Sequence, residues 1–355
     1  MLTDYGWSEA LQREFDSLAR RDLIAARVVV HRRGLYRIVT DAGELTATLS
    51  GRFMHDAPTE DFPAVGDWIA VAARLEEGSA TIHRVLTRRS SFIRRASGPG
   101  GGAQVLAANV DVVLIVSSLN EDLSLRRLER YLATAWASGA QPVIVLTKAD
   151  LASRLEEDVS AVEAIAYGVP VVAVSALTGS GLDRLSPHLA RGRTAVLLGS
   201  SGVGKSTLVN AFVGHERMET QAIREDDARG RHTTTHRELI LLPNGALILD
   251  TPGMRELALW DVSEGLSNTF EDIASLSRAC RFRDCRHTNE PGCAVRSALK
   301  SGVLSEGRWQ SYVKLNRELA WLDRKEDPAA RAAQRKIWIR RTKNYRQREK
   351  NRWRE

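Results

Sequence analysis

Between residues 23 and 93 apolar positions recur in five short runs, IAARVVVH, GLYRIVTD, ELTATLSG, DWIAVAARL and ATIHRVLT. Turn signals such as DAGE, PAVGD and EEGS separate them at the spacing of a small barrel or sandwich. Five strands at that interval predict an OB-like β-barrel, a fold often used on RNA, or else a β-domain with no ligand. Residues 94–104, RRASGPGGGAQ, are Gly-rich and basic and read as a flexible connector. Beyond them the rhythm changes. The apolar runs VDVVLIVSS, QPVIVLTKAD, VPVVAVSA and TAVLLGSSGVGKST are interspersed with the helix-like SLRRLERYLATAWASG and SRLEEDVSAVEAIAYG. Strands alternating with amphipathic helices predict a parallel sheet covered on both faces. RELILLPNGALILDTPG reads as two strands around a PNG turn, an antiparallel hairpin at the edge of that sheet. From 264 onward the pattern is helical and charged.

Composition narrows the picture. At 355 residues, 43% hydrophobic and 27% charged, the chain has room for two or three domains with their own cores. No apolar run reaches membrane-spanning length, and the N-terminus MLTDYGWSEALQREFDSLARRD is unlike a secretory signal, so a cytoplasmic protein without a membrane partner is expected. The net charge of +7 is localised: residues 331–355 hold eleven Arg and Lys against Glu349 and Glu355, leaving a net −2 for everything before them. A polyanion is therefore expected to be gripped by the tail. All three cysteines fall in one short segment, which suits a metal site in a reducing compartment better than a disulfide framework.

The candidate chemistry lies at strand ends. Gly199, Ser200, Ser201, Gly202, Val203, Gly204, Lys205, Ser206 and Thr207 fit G-x-x-x-x-G-K-[ST] between an apolar strand and a helix. Such a loop turns backbone N–H groups toward phosphate oxygens, with Lys205 on the β- and γ-phosphates and Ser206 on Mg²⁺. In DTPG, Asp250 is placed to act on the Mg²⁺ shell and the Gly253 N–H to sense the γ-phosphate. In TKAD, the Asp150 carboxylate can accept from guanine N1–H and N2–H₂, and the Lys148 stem can cover the ring. Thr147 stands where Asn is more usual, which weakens one supporting hydrogen bond. Ser175 and Ala176 begin a small-residue turn whose backbone can donate to guanine O6. The base reader precedes the phosphate loop, so the usual GTPase order is circularly rearranged, which preserves the site if the original termini lay close together. DTPG then feeds directly into the C-terminal region, so nucleotide state is expected to reach residues 255–300.

This order, with the β-barrel, QVLAANVD at 104–111, GRHTTTH at 230–236 and a Cys/His block, resembles the ribosome small subunit-dependent GTPase A family (RsgA, YjeQ or EngC) over nearly the whole chain. The resemblance implies GTP hydrolysis stimulated by the small ribosomal subunit, in late maturation of that subunit. In CRFRDCRHTNEPGC, Cys280, Cys285, His287 and Cys293 supply the three thiolates and imidazole of a closed, structural Zn²⁺ site, as the family has at this motif; three buried free thiols are the alternative. Met254 occupies the place of the Gln that orients water in Ras-like enzymes, so intrinsic hydrolysis should be slow. His232 of GRHTTT is either its replacement or a solvent-exposed switch residue, and Thr234 or Thr235 closes over Mg²⁺. The other histidines, His31, His55, His83, His188 and His215, have no comparable partners. Trp338, Tyr345 and Trp353 among the basic tail residues suit phosphate attraction and base stacking, or a solvated amphipathic helix. Arg94 and Arg95 could add contacts.

The expected organisation is a multidomain α/β protein. It has an N-terminal helical extension (1–22), an OB-like β-barrel (23–93), the connector (94–104), a circularly permuted P-loop GTPase domain (105–262), a helical zinc-binding domain (263–330) and a basic RNA-binding tail (331–355). GTP or GDP, Mg²⁺ and one structural Zn²⁺ are the expected cofactors, and the small subunit with its rRNA the expected partner of a monomer. An RNA-binding scaffold with GTP as a structural ligand is the alternative, and Asp150 disfavours an ATPase or kinase.

Overall fold

The N-terminal apolar runs become strands as their pattern requires. In the computed structural model, which describes residues 1–32, 34–95, 103–120, 123–214, 237–250 and 263–326, helix α1 (Glu9–Ser17) precedes β1 (Ile24–Arg32), β2 (Leu35–Thr40), β3 (Gly43–Leu49), a short helix α2 (Gly51–Asp56), β4 (Trp68–Arg74) and β5 (Ser79–Val85). The neighbours run β1-β2-β3-β5-β4, and β4 returns to β1, closing a five-stranded barrel in which β3 and β5 are parallel. Alternation explains β3, which buries Leu45 and Ala47 and exposes Glu44, Thr46 and Thr48. Tyr36, Ile38, Ile69, Val71 and Ile82 are buried in the barrel, while Trp68, on the other face of β4 from Ile69, is buried against Trp7 and the Arg27 guanidinium.

The ends of the segment read as a connector are instead strands. β6 (Ser91–Arg95) and β7 (Ala103–Ala108) pair antiparallel, with Arg94 opposite Gln104 and Arg95 opposite Ala103. Glycines between two short strands suit a ribbon as well as a linker, so composition alone did not separate them. Residues 96–102 lie outside the described residues.

Next come β8 (Val112–Ser118), α3 (Leu125–Ala137), β9 (Gln141–Thr147), α4 (Leu155–Glu163), β10 (Val171–Ala173), β11 (Thr194–Leu198), α5 (Lys205–Val213), β12 (Arg237–Leu241) and β13 (Leu247–Asp250). The order is β10-β9-β8-β11-β13-β12, parallel except for β12. Every residue of β8 is buried, as a central strand covered on both faces must be. One face packs Val113, Ile115 and Leu146 against Leu128, Leu132 and Val162 of α3 and α4, and the other packs Leu114, Val116 and Ile248 against Leu208 and Val209 of α5. These strands share one unit, residues 1–275, with the barrel; residues 276–355 form a second unit. Helix α6 (Ser263–Thr269), expected with the zinc-binding domain, packs on α3. Gly265 permits this, since a Cβ there would lie 2.1 Å from the Ala133 carbonyl oxygen.

The PNG hairpin is formed, but β12 is not an edge strand. It pairs with β1 of the barrel, Val30 opposite Glu238 and His31 opposite Arg237, so sheet and barrel are one eleven-stranded assembly. The β1–β2 register shifts between Val28 and Val30, and the extra residue Val29 turns β1 from β4 toward β12. The other end of β1 is tied down by Arg27, fully buried. Its guanidinium donates to the Tyr5, Gly66 (3.2 Å) and Asn109 (3.3 Å) carbonyls and to Thr194 Oγ1 (2.8 Å). Burial pushes its pKa down to about 10. Asn109, from the QVLAANVD run, also donates to Gly66 O and accepts from Arg89 N–H.

The second unit contains the end of α7 (Glu271–Arg278), the Cys/His segment, α8 (Ala294–Ser301) and α9 (Glu306–Glu326). Among the described residues no helix is long and apolar enough to cross a membrane.

Candidate functional site

The loop expected to bind phosphate, residues 199–207, is the turn between β11 and α5. Gly199 must be glycine, because a Cβ there would lie 2.2 Å from Val116 O. Val203 points into the core and anchors the loop, while Ser201 and Gly202 form its exposed crest. Gly204, at φ 93°, is the residue from which α5 starts, and Lys205, Ser206 and Thr207 make up the first helical turn, whose N–H groups have no helical acceptor. Lys205 Nζ donates to the carbonyls of Gly199 (2.8 Å) and Ser200, so the cation lies along the loop.

The segment expected to read the base, 147–150, ends β9, two strands from β11 and next to β8. Thr147 is 2% exposed, and its hydroxyl donates to Val203 O of the phosphate loop at 2.6 Å; Ser117 O lies 3.3 Å away. Thr147, where Asn is more usual, bridges directly to the loop. Lys148 takes a left-handed φ of 58°, turning the chain out of the sheet, and Asp150 follows exposed in a single helical turn, Ala149–Leu151. The Ala149 N–H donates to Val174 O, which ties this turn to the segment that leaves β10 through Ser175 and Ala176. Ser175 is buried, with its Oγ accepting from Thr178 N–H, and Leu177 beyond Ala176 is 84% exposed. The separate stretches 147–150, 175–176 and 199–207 thus follow the ends of β9, β10 and β11 within four adjacent strands of one sheet. Asp250 ends β13, beside β11. His232, Thr234, Thr235 and Gly253 lie outside the described residues, as does the tail.

In the second unit Cys280, Cys285, His287 and Cys293 bring one ligand atom each within 4.8 Å of one another. His287 Nδ1 lies 3.6 Å from Cys280 Sγ and 3.4 Å from Cys293 Sγ, and the two sulfurs are 3.9 Å apart. The other ring nitrogen of His287 faces Ser277 Oγ at 3.3 Å, the outer contact that orients a histidine ligand. Sequence spacing did not reveal Ser277. Cys293 also caps α8, accepting from Arg296 N–H. The Glu290 carboxylate is held down to about 2 by its own N–H and those of Thr288, Arg286 and Asn289, which knits the loop between the ligands. Three thiols and one imidazole nitrogen so arranged fit a tetrahedral, soft-preferring divalent ion.

The RsgA GTPase family model matches residues 85–260. A small ribosomal subunit biogenesis GTPase RsgA from Opitutus terrae is 46% identical over 347 residues, 95% of either chain. One of the same name from Methanosarcina acetivorans is 44% identical, over 91% of this chain and 86% of the other. Among solved structures, YjeQ from Thermotoga maritima superposes with a TM-score of 0.64 at 29% identity, covering 84% of this chain and 98% of its own. YloQ, described as a circularly permuted GTPase, gives 0.63 at 26%, covering 86% and 98%. The rearranged order of base reader and phosphate loop, the closed barrel and the cysteine cluster therefore have one explanation: the chain belongs to the RsgA family of circularly permuted GTPases.

Proposed function

We propose that this GTPase acts in biogenesis of the small ribosomal subunit in the cytoplasm, binding that subunit and its rRNA and hydrolysing GTP when it does so. The names of the relatives support the subunit as partner. The observation that carries the nucleotide reading is the Thr147 bond to Val203, which makes the base reader and the phosphate loop a single unit.

In this reading the backbone of residues 199–207 cradles the phosphates, with Lys205 moving from the loop carbonyls to the β- and γ-phosphates. Asp150 selects guanine, with Lys148 against the ring and the Ser175–Ala176 backbone near O6. Ser206, Asp250 and Thr234 would hold Mg²⁺, which when bound neutralises charge developing on the phosphates. The Gly253 N–H senses the γ-phosphate, and His232 orients water. Cys280, Cys285, His287 and Cys293 hold Zn²⁺ as a closed structural set. The tail, 331–355, supplies phosphate contacts to rRNA.

The test is GTP turnover by the protein alone and with small subunits, against large subunits and ATP as controls. A rise specific to GTP and small subunits is expected, with Lys205→Ala abolishing it. No rise with competent subunits, or an assembly role that survives Lys205→Ala with folding and RNA binding intact, would overturn the reading in favour of a scaffold.

A further inference from the structure

On the metal reading of the cysteine cluster, on which this inference rests, the one ligand with a choice of donor atom is His287. A thiolate has a single sulfur to offer, whereas an imidazole can ligate through either ring nitrogen, and only through the one that carries no proton. In this chain the two nitrogens have different surroundings. Nδ1 faces the sulfurs of Cys280 and Cys293 at 3.6 and 3.4 Å, and Nε2 faces Ser277 Oγ at 3.3 Å. His287 reaches this position through a left-handed backbone, φ 58°, and Trp309 of α9 meets its ring in a T-shaped contact, with centroids 5.8 Å apart. Ser277 is itself built into the site. It lies on the last turn of α7, three residues before Cys280, and the Cys280 N–H donates to its carbonyl oxygen at 3.2 Å, closing the turn that carries both. A ligand and the outer partner of a second ligand thus come from one short stretch of chain.

We propose that Ser277 is a positioning residue for the metal: its hydroxyl oxygen accepts the Nε2 proton of His287, which leaves Nδ1 as the ligating nitrogen and holds the ring toward the sulfurs. A hydroxyl oxygen has two lone pairs, so this role leaves its own hydrogen available for a second bond. Without that acceptor the ring loses the contact that sets its tautomer and orientation. Outer partners of this kind account for roughly 10- to 100-fold in metal affinity.

The experiment uses the full chain, stripped of metal and titrated with zinc in competition with a chromophoric chelator, with the melting temperature of each metal-free variant as a control. Ser277→Ala should bind zinc roughly tenfold more weakly, the low end of that range because the contact is only partly buried. Metal-free Ser277→Ala should melt with the metal-free wild type, since alanine suits a helix. Ser277→Thr keeps the oxygen and should bind zinc as the wild type does. In the zinc-loaded wild type, long-range proton–nitrogen NMR of labelled histidine should place the metal on Nδ1 of His287 and the proton on Nε2. Metal on Nε2 would overturn the proposal. So would a Ser277→Thr variant as weak as Ser277→Ala, or a loss of affinity in Ser277→Ala matched by a lower metal-free melting temperature, the mark of a general loosening. Wild type that takes up no zinc would sink the metal reading and this inference with it, whereas zinc held equally by wild type and Ser277→Ala would sink the inference alone.

Discussion

Thr147 offers the sharpest test of how the nucleotide site is assembled. Replacing it with Val removes the hydroxyl at nearly constant volume in a position only 2% exposed. A threonine hydroxyl has one proton to donate, and at 2.6 Å from Val203 O against 3.3 Å from Ser117 O its acceptor is Val203. Losing a buried hydrogen bond and leaving the carbonyl without its donor costs about 1–3 kcal/mol. If the bond holds the loop in its phosphate-binding shape, that energy appears in nucleotide binding, a drop in affinity of roughly 5- to 150-fold. GTP and GDP should weaken equally, because both use the loop and the base reader. The preference over ATP should survive, because Asp150 is untouched. Thr147→Ser keeps the donor and should bind nearly as tightly as the wild type. Titration of a fluorescent GDP analogue, with a melting curve for each variant, measures both quantities. Affinity of Thr147→Val within twofold of the wild type, with an unchanged melting temperature, would refute the reasoning.

Three further outcomes are expected. Gly265→Val should destabilise the first unit by about 1–3 kcal/mol, the usual result of forcing atoms into a filled contact, since its Cβ would overlap Ala133 O; denaturant unfolding reads this, and no shift in midpoint would show that α6 can move aside freely. His31, half-buried against Tyr36, is held below the ordinary histidine value of 6.5 by burial and then by Arg237. The unfolded chain therefore takes up this proton more readily, so its contribution is fully present above the ordinary value and lost as pH falls toward the lowered one. His31→Gln should accordingly flatten the stability-against-pH curve relative to wild type across that window; parallel curves would mean that His31 does not titrate there. Purified protein should carry one zinc per chain by elemental analysis, and chelation should unfold the segment between Cys280 and Cys293 while GDP binding persists; full hydrogen-exchange protection of that segment after metal removal would contradict a structural role for the ion.

How much of this was legible beforehand depends on whether the contact was local in sequence. Residues 199–207, 147–150 and 280–293 carry their motifs within a few positions, and the five barrel runs are short apolar stretches bounded by turn signals, of which β3 alternates cleanly, so motifs and strands alike stand out in the sequence. The β1–β12 seam could not, because two residue pairs separated by some two hundred positions leave no periodic trace. Arg27 was a missed signal: a cation inside the apolar run IAARVVVH is costly unless its donors are all used, and here four separate segments supply the acceptors. Glycine content hides the ribbon of β6 and β7, and the packing of α6 on α3 turns on Gly265, which gives no apolar signal.

The shared strand also decides how this protein can be divided. A fragment beginning at residue 105 would contain every nucleotide-binding motif, yet β12 would lose the partner on its outer side and present bare N–H and C=O groups to solvent. Such an edge invites pairing with another copy of itself. The barrel thus serves the GTPase sheet as a cap against self-association, and the two halves were not built to be parted at the boundary that their sequence patterns suggest.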